Sequence, residues 1–164
     1  MKLKNTITTL LIAGLAVTAA HAETNIVWDS PEDYRDMSYR DSNTEKDRLI
    51  VMKDLEKYFV HESDNVFTED LTLTVTITDV DLAGDFEPWR TNVYDIRIVK
   101  SIYPARISFE YTMTSADGSI ITEGSETLRD THLIAPIHMR NDDYPYVKDL
   151  YRSWVRKLAN THIS

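Results

Sequence analysis

The chain has no cysteine, only 4 glycines and 5 prolines among 164 residues, and 18 lysines and arginines against 27 aspartates and glutamates. Each scarcity excludes something. Without cysteine there is no disulfide framework, no thiol for lipid attachment and no thiolate nucleophile, so the fold has to rest on a packed core. The few glycines form neither a Gly-rich strand-to-helix loop that could cradle phosphate nor a Gly-x-Ser-x-Gly elbow that could present a nucleophilic serine. A formal net charge of -9 argues against nucleic acid, whose binding draws on clustered Lys and Arg, and against anionic lipid surfaces. There is no internal repeat and no low-complexity tract.

What is present begins with an address. Lys2 and Lys4 precede a short apolar stretch from Ile7 to Thr18, and Ala20-His21-Ala22 has the small-x-small pattern cut by signal peptidase. The pattern predicts a signal peptide over residues 1–22, removed before Glu23, because the stretch is too short and too interrupted by threonine to span a bilayer. Residues 23–164 are then expected to form one periplasmic or secreted α+β domain with no membrane insertion after cleavage. Loss of Lys2 and Lys4 takes the formal charge from -9 to about -11.

Ile26 to Trp28 reads as a first strand ended by Ser30-Pro31, and residues 29–43 as an ordered surface loop. Ser42-x-x-Glu45 has the spacing of a capping box, and apolar residues Val51, Met52, Leu55, Tyr58 and Phe59 then recur as one helical face, predicting a helix to about Val60. The clearest signal is Leu71-Thr-Leu-Thr-Val-Thr-Ile77-Thr, in which four aliphatics take one face of a strand and four threonines the other. Parity changes afterwards, since Val80 and Leu82 are even-numbered, which places a bulge or strand end near Asp79. Further strands are predicted over Tyr94–Ile98, Ile107–Met113 and Ile120–Leu128, the last two joined by an Asp117-Gly118 turn. Val147, Leu150, Tyr151, Trp154 and Leu158 line a final helix, with Lys148, Arg152, Arg156 and Lys157 expected outside. The order βαββββα implies a two-layer sandwich: a mostly antiparallel sheet of four to five strands with two helices on one face.

The block Asp79-Val-Asp-Leu-Ala-Gly-Asp-Phe-Glu-Pro-Trp89, the block Asp95-Ile-Arg-Ile-Val-Lys-Ser-Ile-Tyr-Pro-Ala-Arg-Ile107, Trp28-x-x-Pro31-x-x-Tyr34 and Thr114-x-Ala-Asp-Gly118 together resemble an exported proteobacterial family of unknown function. The resemblance covers nearly all of residues 23–164 and implies an exported single domain; it brings no activity, cofactor or catalytic residue. The layout of sheet and helices is also similar to small periplasmic accessory domains, including auxiliary subunits of envelope transport systems, as a likeness of fold alone.

Candidate chemistry concentrates between Asp79 and Arg97. Asp79, Asp81, Asp85 and Glu87 surround Gly84, and hard oxygen ligands at this density suit calcium, although Ala83 and Arg90 occupy positions where an EF-hand loop needs oxygen ligands. Asp79 falls at an inward phase, where it could instead accept backbone N–H groups at the bulge. Trp89, Phe86 and Pro88 read more simply as a hydrophobic plug under the loop than as an aromatic platform for a ligand. Arg90, Arg97, Lys100 and Arg106, interleaved with Tyr94, Tyr103 and Tyr111, suit either a protein contact surface or cross-strand pairing with Asp95 and Glu110. Paired carboxylates could serve a glycoside hydrolase, but no residue is singled out as catalytic. His61, His132, His138 and His162 lack the spacing of a zinc site. The leading expectation is a non-catalytic binding or envelope accessory domain that uses Asp79, Asp81, Asp85, Glu87, Trp89 and Arg97 toward a partner. The alternatives are a calcium or small-ligand site on the same acids and, third, a hydrolase. No cofactor and no confident metal ligand is expected.

Overall fold

The structure, a computed structural model, describes residues 22–38, 44–67, 70–87, 89, 97–130 and 142–162. Residues 1–21 of the expected signal peptide, Ser42, residues 90–96 with Asp95, and both His132 and His138 lie outside the described residues. Strand β1 (Glu23–Trp28) starts three residues earlier than its apolar run suggests, because parallel pairing with β2 (Leu71–Asp81) recruits the polar residues, in register from Glu23 opposite Thr72 to Trp28 opposite Ile77. After helix α1 (Glu45–Val66) and β2 come a two-residue ribbon of β3 (Asp85–Phe86) with β4 (Arg97–Ile98), then the hairpin β5 (Arg106–Ser115) and β6 (Ile120–Arg129), and helix α2 (Pro145–His162). The main sheet has the order β1-β2-β5-β6, antiparallel except for β1 with β2. This is the expected α+β arrangement, with β3 and β4 forming a separate sheet of their own.

The alternation in β2 does what its chemistry requires. Leu71, Leu73, Val75 and Ile77 are buried, while Thr72, Thr74 and Thr76 stay partly open and Thr78 is exposed. The register slips between Ile77 and Asp79, so Thr78 is the extra residue and Val80 returns to the core. Both helices cover the aliphatic face. Phe59 stacks on Tyr151 at 4.0 Å, and Trp154 meets Phe109 edge-on at 4.6 Å.

Four local expectations are corrected. The cap of α1 is Thr44, whose hydroxyl accepts from Asp47 N–H at 3.2 Å and donates to the Asp47 carboxylate at 2.5 Å. The helix also continues to Val66, because its buried stripe Val51, Leu55, Phe59 is prolonged by Ser63, a polar residue that hydrogen-bonds the buried Tyr151 hydroxyl at 2.8 Å. Burial raises the Tyr151 phenol well above its ordinary range, against the opposing Ser63 hydrogen bond. Lys148, expected outside, is buried, since its ammonium lies 2.7 Å from both Asp54 and Asp142 and over the Tyr58 ring. Tyr58 itself is pushed up to about 12, by burial first and by Glu62 next. The segment after β1 is less superficial than expected too: Tyr34 and Met37 are buried, and the Tyr34 hydroxyl donates to the Ile77 carbonyl at 2.5 Å, beside the bulge.

Candidate functional site

Residues 79–89 cross from the end of β2 into the β3–β4 ribbon, and the bulge decides where their carboxylates go. The phase slip at Thr78 puts Asp79 opposite Ser108, on the helix-free face rather than inward. There Asp79 accepts Arg35 N–H at 2.9 Å and the Arg106 guanidinium at 2.6 Å. It does hold a backbone N–H, but one from the neighbouring segment. That segment is drawn in as an extra strand residue: Asp36 N–H donates to Val80 C=O at 3.0 Å and Leu82 N–H to Asp36 C=O at 3.1 Å.

Arg97 is the centre of this end of the molecule. One amino group donates to an Asp36 oxygen at 2.6 Å and to Gly84 C=O at 2.8 Å; the other donates to the second Asp36 oxygen at 3.1 Å and to Ser38 C=O at 2.9 Å. The guanidinium carbon lies 4.7 Å from the centre of the Phe86 ring. Only the planar five-donor fork of arginine can serve this set of acceptors at once. Gly84 has φ 84°, and a side chain there would put its Cβ 2.9 Å from Ile98 C=O, so the approach of β4 depends on glycine at this position. Glu87 is buried and pairs with Lys100, with the Tyr103 hydroxyl 3.4 Å away. Asp85 accepts Phe86 N–H at 2.8 Å, within its own turn.

The six residues singled out in the sequence therefore share one end of the fold but not one cavity. Arg106 holds Asp79, Lys100 holds Glu87 and Arg97 holds Asp36, while Asp81 faces the Arg35 guanidinium at 3.9 Å. Among the described residues no group of three or more His, Asp or Glu side chains is placed to hold a metal ion. Arg97 and Arg106 pair with Asp36 and Asp79, not with Glu110 across the sheet. Trp89 is no plug: it is 72 % exposed, and Phe86, half-buried under Arg97, fills the place expected of it. Asp36 was not legible as a site residue, its only sequence signal being a carboxylate between Tyr34 and Met37 in a run otherwise read as loop. A cleft of 290 Å³ remains between Arg35, Asp36, Asp81, Asp85 and Tyr103, with Ile102, 69 % exposed, at its margin.

Asp81 on this cleft is raised above the ordinary aspartate range, by burial first and by Asp36 next, against the pull of Arg35 and Arg106. A folded-state value above the unfolded one means that the folded chain binds the proton more tightly, so ionising Asp81 costs stability as pH rises through the window between the two values. Asp81→Asn is therefore expected to raise the unfolding free energy at neutral pH, and the gain should vanish below the ordinary aspartate range. Urea unfolding of both proteins across that range checks this; a variant less stable at neutral pH contradicts it.

The family described as protein of unknown function (DUF3016) matches residues 22–157. The chain belongs to this family. No curated protein matches the sequence of this family member. Among solved structures the chain is similar to protein XCC0632 from Xanthomonas campestris, of the DUF330 family, at 10 % identity and a TM-score of 0.44, over 87 % of this chain and 83 % of that one. It is also similar to a minor lipoprotein from Acinetobacter baumannii, at 8 % identity and a TM-score of 0.39, over 88 % of this chain and 96 % of that one. No helix among the described residues is long and apolar enough to cross a membrane.

Proposed function

We propose that the protein is exported to the periplasm and acts there as a non-catalytic binding domain of the cell envelope, its contact surface being the end of the fold that carries Trp89. Export is supported by the charged start, apolar stretch and Ala20-His21-Ala22 pattern, and by a family match that begins at Ala22. The observation that carries the binding reading is Trp89, a large apolar side chain 72 % exposed on a loop rooted in ion pairs. Folding gains little from an indole in water, whereas a partner that covers it gains the whole of its area, which is why Trp is enriched among dominant interface residues. Ile102 and Val99, 69 % and 42 % exposed, extend apolar surface on the same ribbon and the turn after it. The carboxylates below serve in this reading to hold the loop, each engaged by a cation or a backbone N–H.

The test is site-specific photo-crosslinking in the envelope, with the reactive group at position 89 and, as a control, at Thr78 on the helix-free face. A discrete adduct from position 89 alone is expected. Trp89→Ala should then weaken recovery of that partner by about 2 kcal/mol or more, roughly thirtyfold, while the melting temperature stays within the small range of surface substitutions. Equal adducts from both positions, or full recovery with Trp89→Ala, would remove Trp89 from the contact.

A further inference from the structure

Strand β6 ends one side of the main sheet, and among the described residues no strand pairs with its outer edge. The ladder shows which backbone groups face that way. Asp130 N–H donates to Ala105 C=O at 3.0 Å, one step beyond the pair Arg106 and Arg129. Ala105 and Asp130 are thus a hydrogen-bonded pair, and antiparallel ladders alternate hydrogen-bonded with non-hydrogen-bonded pairs. Leu128, Glu126, Gly124 and Thr122 accordingly bond to β5, opposite Ile107, Phe109, Tyr111 and Met113. Glu123, Ser125, Thr127 and Arg129 direct their N–H and C=O groups outward. The strand has no proline and no lysine, the residues that most often guard such an edge.

We propose that β6 pairs with β6 of a second copy of this chain, antiparallel about a two-fold axis at Ser125, to give one continuous sheet across both copies. An edge that meets itself must be self-complementary. A two-fold axis normal to the sheet keeps facing side chains on one face, which restricts the register to pairs of equal parity. Centred on Ser125, Glu123 faces Thr127 of the second copy, Thr122 faces Leu128 and Gly124 faces Glu126, and the regular ladder ends at Ile121, the extra residue of a bulge. No like charges stand directly opposite, and Glu123 lies diagonal to Arg129 of the second copy. Gly124 leaves the inner side low at this point, where Tyr111 already occupies the place of a side chain: a Cβ would stand 3.1 Å from its ring. Glu126 of the second copy therefore meets no side chain across from it. Moving the axis one residue toward Glu126 sets two glutamates face to face. Moving it toward Gly124 shortens the overlap and takes Glu123 away from Arg129 of the second copy; the Ser125 register sets Glu126 diagonal to its own mate, on the inner side that Gly124 leaves low. This surface is separate from Trp89, so its failure leaves the partner-binding reading untouched.

The absence of cysteine makes the test clean, because Ser125→Cys introduces a single thiol. Oxidised Ser125→Cys protein is expected to form a covalent dimer, whereas Thr74→Cys, on the helix-free face of β2, should not. Sedimentation of the unmodified protein should show a concentration-dependent dimer. Ser125→Pro removes an outward N–H on each copy without breaking a bond to β5, and should weaken dimerisation by roughly tenfold or more with circular dichroism and melting unchanged. Thr127→Lys, which places a charge on the same edge, should act likewise and guards against a fold defect from proline. A protein that stays monomeric at high micromolar concentration overturns the proposal, as does a dimer that survives both substitutions without a cross-link at position 125.

Discussion

Arg97→Ala is expected to lower the unfolding free energy by about 3 kcal/mol, the lower end of the range for removing one partner of a buried ion pair. The lower end applies because the Arg97 and Asp36 side chains keep 16 % and 21 % of their exposure. The loss is still large. Alanine strands the Asp36 carboxylate beside Asp81, frees the carbonyls of Gly84 and Ser38, and uncovers Phe86. At 2 to 4 °C per kcal/mol for a chain of this size, the melting temperature should fall by roughly 10 °C. Arg97→Lys should recover less than half of that, since an ammonium cannot span both carboxylate oxygens and two carbonyls. Asp36→Ala should cost a similar amount, and the double variant less than the sum, because the two side chains share one interaction. Calorimetry of the four proteins decides the matter: additive losses would mean that Arg97 and Asp36 act independently.

Phe59→Ala is expected to cost about 3 to 5 kcal/mol, as for other fully buried aromatics truncated in a packed core. Phe59 is completely buried and its ring is stacked on Tyr151, which in turn contacts both Phe109 and Trp154. Removal opens a cavity where α1, α2 and the sheet meet. Tyr151→Phe isolates the polar part of the same contact: it keeps the ring and loses the Ser63 hydrogen bond, so about 1 kcal/mol should follow. Urea midpoints measure both. A Phe59→Ala loss no larger than that of Tyr151→Phe would show that the helices close over the gap.

Much of the architecture could be read from the chain because the periods of β2, β5 and the two helices agree with the faces they bury. Leu71 to Ile77 needs no partner to declare its inner side. What escaped notice was set by partners distant in sequence. Ser63 reads as a helix end until Tyr151 supplies its hydrogen bond, and Lys148 reads as solvated until Asp54 and Asp142 converge on it. At the candidate site the carboxylates were visible as a cluster, but a one-residue slip at Thr78 turned Asp79 to the other face, and Arg97 found its acid 61 residues away at Asp36. Spacing along a strand cannot reveal such a pair, since a clamp between segments so far apart in the chain leaves no period behind. Trp89 was misjudged for a related reason: Phe86 and Trp89 are equally apolar in the chain, and only the position of Arg97 decides which one is covered.

The parallel pairing of β1 with β2 has a consequence for how the chain reaches this state. The two strands are separated by the whole of α1, so the first strand to leave the ribosome has no neighbour until the helix and much of β2 have followed. Its docking is a long-range event, slow by topology, whereas the β5–β6 hairpin can close locally around its Asp117-Gly118 turn. Until β1 arrives, β2 offers bare main-chain donors and acceptors along the edge that β1 covers in the finished sheet.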